Sequence, residues 1–204
     1  MITRLIVGIS GASGVYYARR FLETVLTLPV TVSLIITQTA ALLIEKELKV
    51  SGFQQTLRLA DFLSVSPDAL AKLTHHRNDD LLAPPASGST PYDAMVIIPC
   101  SMKTLSAVAT GYAANLITRT ADVCLKEHRP LILVPRETPL NAIHLENMLT
   151  LAHAGACILP AMPAFYHHPT TIDDLADFLT SRIFARLGLP HPKKIQWSAE
   201  DPLT

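Results

Sequence analysis

The chain has 204 residues, of which 49% are hydrophobic and 17% are charged, and its formal net charge is zero. This length fits one domain with a full core, and the apolar composition predicts further surface buried between copies in a homo-oligomer. The balanced charge argues against nucleic acid or an anionic membrane as a partner, because both call for a basic patch. Three widely spaced cysteines without a C-x-x-C pair indicate a reducing, cytoplasmic compartment.

The chain begins with a predicted buried strand over residues 4–7, a glycine-rich turn over residues 8–14 and a helix from residue 15. This order is typical of an anion site, because glycines let a ligand approach the backbone and the first N–H groups of the helix are free. The glycines at positions 8, 11 and 14 match neither G-x-G-x-x-G nor a nucleotide-triphosphate loop. A phosphate cradle and a plain packing turn therefore both remain open for this stretch.

A second strand is predicted over residues 30–36 and a helix over residues 39–48. The uncharged stretch 24–44 is long enough to span a bilayer, but Pro29 and the polar residues at its far end favour a strand, a turn and a helix. Thr37 falls at the carboxyl end of the strand, where open α/β sheets bind ligands. Glu47 is interpreted at this point as a solvated surface acid.

Residues 49–80 are weakly patterned, except that Ser66 and Pro67 predict a capped helix start. A loop rich in proline, glycine and serine follows over residues 81–91. A continuous apolar strand over residues 94–99 leads into residues 100–104, which open a helix with donors at its mouth. Capping explains either strand-to-helix turn alone, but two such turns in one sheet indicate a shared crevice.

The alternation continues, with helices predicted over 116–128, 140–155 and 173–187, strands over 131–134 and 156–159, and a proline-rich loop over 160–169. Arg119, Asp122 and Lys126 share one helix face, which surface ion pairing alone would explain. Arg136 and Glu137 come directly after a buried strand, a position typical of site residues.

Strands that alternate with helices throughout predict a three-layer, doubly wound parallel α/β sheet of Rossmann-like or flavodoxin-like type. We expect one domain over residues 1–188 and a C-terminal arm over residues 189–204. The adjacent pairs His75–His76 and His167–His168 lack metal-ligand spacing and are interpreted as loop or surface histidines, so no metal is expected.

Taken together, these segments resemble the UbiX-type flavin prenyltransferases of the flavin-binding cysteine-decarboxylase-like superfamily. The resemblance covers nearly the whole chain and rests on stretches in family order and spacing, at residues 8–14, 84–89, 99–106, 119–127, 133–140 and 165–167. It implies that a dimethylallyl group from dimethylallyl monophosphate is joined to N5 and C6 of reduced FMN, without a metal. It further implies a dodecamer, and a UbiD-type decarboxylase, for example in ubiquinone synthesis, as recipient of the prenylated FMN.

The resemblance also implies the site residues. Those that match FMN-binding positions are Gly11, Ala12, Ser13, Thr37, Ser101, Met102, Lys103, Thr104 and Arg136. Those that match prenyl-phosphate positions are Arg119, Lys126, Tyr166 and Arg182. Catalytic roles fall to Ser13 near N5, Glu47 as a proton relay to the phosphate, Lys126 on the leaving group and Glu137 as the base for the C6 proton. Trp197 matches a C-terminal aromatic of close relatives.

Two other functions remain open. One is an FMN-dependent decarboxylase of a peptidyl or pantothenoyl cysteine, for which no substrate-clamp motif is found. The other is a non-catalytic FMN carrier, which has no need for Lys126, Glu137, Tyr166 and Arg182 together. The choice between a monophosphate and a pyrophosphate donor, and the residues that act across a subunit interface, also stay open.

Overall fold

The structure is a computed structural model that describes residues 2–193 and 195. Its sheet has the parallel strand order β3-β2-β1-β4-β5-β6, formed by β1 (Arg4–Ile9), β2 (Thr31–Ile36), β3 (Leu73–Arg77), β4 (Ala94–Cys100), β5 (Leu131–Pro135) and β6 (Cys157–Ile158). This order is that of the dinucleotide-binding Rossmann fold, with a switch point between β1 and β4. The predicted doubly wound α/β sheet is confirmed, in its Rossmann-like form.

Helices cover both faces of the sheet. They are α1 (Val15–Val25), α2 (Gln38–Leu48), α3 (Leu59–Phe62), α4 (Pro67–Leu70), α5 (Met102–Ala109), α6 (Leu116–Lys126), α7 (Ala142–His153) and α8 (Ile172–Leu187). Strand β1 divides the core, because Leu5 and Val7 face the cluster that contains α1 and α8, whereas Ile6 faces the cluster of α5 and α6. The rings of Phe21 and Phe184, 5.7 Å apart and edge to face, join α1 to α8.

The sequence analysis missed strand β3 and the short helix α3. The five residues of β3, Leu-Thr-His-His-Arg, include one aliphatic side chain and therefore carry no strand pattern. The segment is extended because its backbone pairs with β2 at the sheet edge. The prediction of loop or surface histidines was consequently wrong for His75 and His76, which are half-buried strand residues.

Other boundaries follow local capping. Ser66 caps α4 as predicted and accepts a hydrogen bond from the N–H of Ala69 at 3.2 Å. The helix predicted from residue 140 begins only at Ala142, because the Asn141 side chain caps it. β6 has two residues, half the predicted length.

No helix in the described part of the chain is long and apolar enough to cross a membrane. The first residues of the predicted C-terminal arm pack on α8, where Leu189 is buried and the His191 ring stands edge-on to Phe184 at 5.2 Å. Trp197 lies outside the described residues.

Candidate active site

The two strand-to-helix turns meet at the switch point of the sheet. Ser10, fully buried after β1, donates its hydroxyl to the carbonyl of Pro99 at 3.1 Å and accepts the N–H of Ser101 at 2.8 Å. The N–H of Ser10 also donates to Pro99, at 3.2 Å. Ligands of such sheets bind outside the carboxyl ends of the strands at the switch point, so the predicted shared crevice has the expected location.

In the first turn, glycine is required where the backbone passes α2. A Cβ at Gly11 would lie 2.6 Å from Cγ2 and 2.7 Å from Cβ of Thr39, closer than real contacts permit. Gly14, the residue before α1, has φ of 100°, the left-handed conformation that glycine adopts without strain. The turn is therefore held tightly against α2, while the Ser13 side chain is exposed.

The N-terminus of α1 is not an open anion site. Glu47 on α2 accepts the N–H of Gly14 at 2.9 Å and of Val15 at 3.2 Å on the same carboxylate oxygen. The expectation that these N–H groups point at a ligand is therefore corrected, because the chain's own carboxylate binds them. Glu47 is not merely a solvated surface acid, as the pattern alone suggested, and it lies at the first turn.

Thr37 lies at the end of β2 and caps α2. Its hydroxyl oxygen accepts the N–H of Ala40 at 3.1 Å. A hydroxyl has one donor and two acceptor positions, so capping leaves the O–H of Thr37 available to a ligand.

The second turn presents a helix N-terminus with a cation beside it. The Ser101 hydroxyl caps α5 by accepting the N–H of Thr104 at 3.3 Å and donates to the Thr104 hydroxyl at 3.1 Å. Lys103 is exposed in the first turn of the helix, while Met102 is buried beneath it. Backbone N–H groups, the helix dipole and the ammonium group together favour an anion at this point.

The end of β5 completes the crevice. Arg136 donates from Nε to the carbonyl of Ser13 at 2.9 Å, which joins this strand end to the first turn. The Glu137 side chain is exposed and accepts the N–H of Thr138 at 3.1 Å. Both residues border a small hollow of about 70 Å³, whose other walls include Leu140 and Met148.

Two of the four prenyl-phosphate candidates lie on α6, beside the loop that precedes β4. Arg119 donates to the carbonyl of Ala86 at 3.2 Å and pairs with Asp122 at 2.7 Å, as their spacing predicts. Lys126 pairs with Glu127 instead of Asp122. The loop runs so close that a Cβ at Gly88 would lie 2.8 Å from Lys126 Nζ.

The other two candidates lie on the side of the molecule formed by α8. The Tyr166 ring packs edge-on against Phe178 at 5.9 Å, and Arg182 is exposed one helical turn after Phe178. Residues four apart share a helix face, so the phenol and the guanidinium group lie on the same side of α8. The hydrogen bonds and ion pairs of Arg119 and Lys126 are with Ala86, Asp122 and Glu127, on α6 and the loop beside it.

Sequence reasoning missed two residues that shape the site. Ser10 was seen as part of a turn and not as the bridge between turns, and Arg129 was not singled out although it donates to the carbonyl of Gly88 at 2.6 Å. Their partners are 91 and 41 residues away along the chain. Only the position of Ser10 directly after a buried strand could have indicated its role.

Two of the three cysteines are poor nucleophiles. Burial raises the pKa of Cys100 and of Cys124 to about 12, so both remain thiols at neutral pH. All three cysteines are free. No group of three or more histidine, cysteine or acidic side chains that could hold a metal occurs within residues 2–193 and 195, and the absence of a metal remains a prediction.

Comparison with known proteins shows the family of this chain. The model of the Flavoprotein family matches residues 2–184. The chain is 45% identical over 203 residues to a protein of Methanothermobacter thermautotrophicus named flavin prenyltransferase UbiX, covering 98% of each chain.

Two solved structures have the same fold over nearly the whole chain. A dodecameric FMN-dependent UbiX-like decarboxylase from Escherichia coli O157:H7 is 40% identical, with a TM-score of 0.84 over 96% of this chain and all of the other. AnUbiX (PadA1), in complex with FMN and dimethylallyl pyrophosphate, is 36% identical, with a TM-score of 0.82 over 97% of this chain and all of the other.

The strand order and the family match together define a Rossmann-like flavoprotein. Within that class, the chain belongs to the UbiX family of flavin prenyltransferases.

Proposed function

We propose that this protein transfers a dimethylallyl group from dimethylallyl monophosphate to N5 and C6 of reduced FMN. One observation carries the proposal: hydrogen bonds join the glycine turn to the Ser101 turn and to Arg136 at the switch point of the sheet. The family of the chain, whose members are flavin prenyltransferases, gives this arrangement its interpretation. We further propose that no metal takes part and that a UbiD-type decarboxylase uses the product.

The donors around the second turn fit an FMN phosphate. The N-terminus of α5, the exposed Lys103 and Arg136 supply an anion-binding arrangement, whereas Glu47 holds the N-terminus of α1. We assign Gly11, Ala12 and Ser13 to the backbone wall of the flavin site and the Thr37 hydroxyl to a further contact. Ser101, Met102 and Thr104 complete the set through the α5 turn.

We assign the donor phosphate to Arg119, Lys126, Tyr166 and Arg182. Breaking the allylic C–O bond leaves the electron pair on phosphate, and cationic side chains with a phenol donor stabilise that charge. Because these residues form two groups on one protomer, we propose that a neighbouring copy brings one group to the site of the other. When the donor binds, the ammonium group of Lys126 leaves its ion pair with Glu127 and pairs with the phosphate instead.

Reduced flavin supplies the nucleophile. When N5 forms its bond to the allylic carbon, the C–O bond breaks and the N5 proton is lost. Ring closure then joins C6 to one carbon of the remaining double bond while the other carbon takes up a proton. Glu137, exposed at the end of β5, takes the proton lost from C6, and the released phosphate assists it. Glu47 supplies or relays a proton to the phosphate, and the exposed Ser13 hydroxyl orients groups near N5.

We propose a homo-oligomer, specifically the dodecamer that the Escherichia coli relative forms. Helix α7 supports this, because Ile143, Leu145 and Leu149 are each more than half exposed. Such an apolar surface on a single protomer is typical of a protein–protein contact. The free cysteines support a reducing, cytoplasmic location.

The test is an anaerobic incubation of the purified protein with reduced FMN and dimethylallyl monophosphate, without metal, followed by mass spectrometry of the extracted flavin. A flavin heavier than FMN by one C5H8 unit supports the proposal. Unmodified FMN with both the monophosphate and the pyrophosphate would overturn it in favour of a carrier or a cysteine decarboxylase. Failure to bind FMN would remove the flavin assignment itself.

A further inference from the structure

The centre of α8 carries a buried acid that the proposed chemistry does not use. The Asp177 side chain is 1% exposed, and acidic side chains are seldom buried unless paired. Arg20 on α1 binds both carboxylate oxygens, from Nε at 2.5 Å and from Nη2 at 3.1 Å. Lys193, in the C-terminal arm, binds the same carboxylate at 2.6 Å. One side chain therefore ties together α1, α8 and the arm.

Further charged groups surround the junction of α1, α8 and the arm at Asp177. Lys193 also reaches Asp174 at 3.3 Å, and the Tyr16 hydroxyl of α1 donates to Asp173 of α8. Glu23 lies 4.0 Å from Arg20 on the α1 side. Burial raises the pKa of Asp177, but hydrogen bonds from Arg20 and Lys193 outweigh burial and hold this pKa below its usual value. The carboxylate is therefore ionised at neutral pH.

The junction connects the helix that follows the glycine turn to the helix that carries Arg182. Helix α1 starts at the glycine turn, and α8 carries Arg182 five residues after Asp177. Lys193 and Arg182 line the same hollow of about 380 Å³ with Leu189 and His191 of the arm. Tyr166 packs on Phe178, the residue that follows Asp177.

We propose that Asp177 is a positioning residue for the donor phosphate. Through Arg20 it fixes α8 on α1, and through Lys193 it holds residues 189–193 beside Arg182. Arg182 and Tyr166 are thereby set relative to the glycine turn. Arg182 and Tyr166 contact the phosphate, and Asp177 acts through them. This inference rests on the proposed prenyl transfer, since it assigns the phosphate to these two residues.

Lys193→Gln is the informative variant, because it frees the arm but leaves the pair of Asp177 with Arg20 intact. Asp177→Asn would remove the charge that Arg20 and Lys193 share at a buried position and risks a protein that does not fold. We expect Lys193→Gln to raise KM for dimethylallyl monophosphate at least fivefold while kcat and the Kd for FMN stay within twofold. Lys193→Arg should return KM to within twofold of the parent value, since it restores the ion pair.

Arg58→Gln, which removes the exposed ion pair of Arg58 with Asp61, is the matched control and should leave KM unchanged. An unchanged donor KM in folded Lys193→Gln overturns the inference. An equal loss of FMN affinity also overturns it, because the ion pair would then support the fold in general.

A readout independent of turnover separates this inference from the proposed function. In the FMN-bound protein, hydrogen exchange at residues 189–193 and around Arg182 should quicken in Lys193→Gln and not in Arg58→Gln. If the parent protein binds FMN but fails to prenylate it, the proposed function is wrong. If hydrogen exchange in Lys193→Gln equals that of the parent protein, the positioning role is wrong.

Discussion

The side chain of Glu47, in the last turn of α2, places its carboxylate at the N-terminus of α1. Helix α1 lacks a side-chain cap of its own, so Glu47 satisfies two N–H groups that would otherwise have no helical partner. The negative charge also lies at the positive end of the helix dipole. A phosphate would have to displace this carboxylate to bind there, which is why the α5 turn is the better phosphate site.

Two substitutions of Glu47 separate its capping role from its proposed proton relay. We expect Glu47→Ala to lower the free energy of unfolding by about 1 kcal/mol, as loss of an N-cap does, and Tm by about 3 °C. Glu47→Gln keeps an oxygen acceptor and should retain most of that stability, yet it cannot relay a proton and should prenylate at least tenfold more slowly. Thermal unfolding and the rate of flavin modification measure the two effects.

Lys46→Ala, at an exposed position of the same helix α2, is the control for Glu47→Ala. Equal stability of the two alanine variants would remove the capping role. Full activity of Glu47→Gln would remove the proton relay and leave the cap.

Glu137 is the acid whose role is most directly chemical. Its carboxylate is exposed at the crevice, and the residues described around it supply one hydrogen bond, from the N–H of Thr138. Glu137→Gln preserves the shape and removes the base. We expect extracted flavin that carries the additional C5H8 mass but retains its C6 hydrogen, as proton NMR detects. Normal ring closure by Glu137→Gln would show that another group, such as the released phosphate, takes the proton.

At the scale of elements, the sequence predicted those helices, strands and turns whose formation depends on neighbouring residues. The β1–glycine–α1 and β4–Ser101–α5 units follow from apolar strands, glycine turns and caps, all readable within a dozen residues. Strand β3 forms because it pairs with β2, and its residues, two of them histidines, show no alternating apolar pattern that would predict a strand. Contacts across the chain, such as Glu47 with Gly14, need the fold itself to bring their elements together.

The close approach of the first turn to α2 gives a test at this scale. Gly11→Ala would place a methyl group 2.6 Å from Thr39, and overpacking of this kind costs about 1–3 kcal/mol. We expect lower Tm and at least tenfold weaker FMN binding, measured by flavin fluorescence. Thr39→Gly removes both clashing atoms, so the double variant Gly11→Ala/Thr39→Gly should recover part of the FMN affinity.

The suppressor makes the result specific. A double variant that binds FMN no better than Gly11→Ala would mean that the added methyl group obstructs the ligand and not α2. Thr39→Gly alone is the reference for the cost of replacing threonine by glycine in the first turn of the helix, a few tenths of a kcal/mol.

At the scale of the whole molecule, the exposed apolar side chains of α7 fit the apolar composition. Of the residues of this helix only Leu151 is buried, whereas Ile143, Leu145 and Leu149 are 65%, 54% and 58% exposed. Side chains of this kind bury little within their own protomer, so their substitution should spare its fold. A second copy that covers them would also bring its own site residues close, which accounts for two separated groups of phosphate candidates.

Ile143→Asp tests this directly, because it places a charge in the proposed interface. We expect analytical ultracentrifugation to show smaller species than those of the parent protein. The circular dichroism spectrum should stay unchanged, and any fall in Tm should come from the lost subunit contacts alone. Prenylation should fall at least tenfold, since Arg182 and Tyr166 of one copy would no longer meet Arg119 and Lys126 of another. An active, monomeric Ile143→Asp would show that one protomer holds a whole site, and the two groups would then have to close together within a single chain.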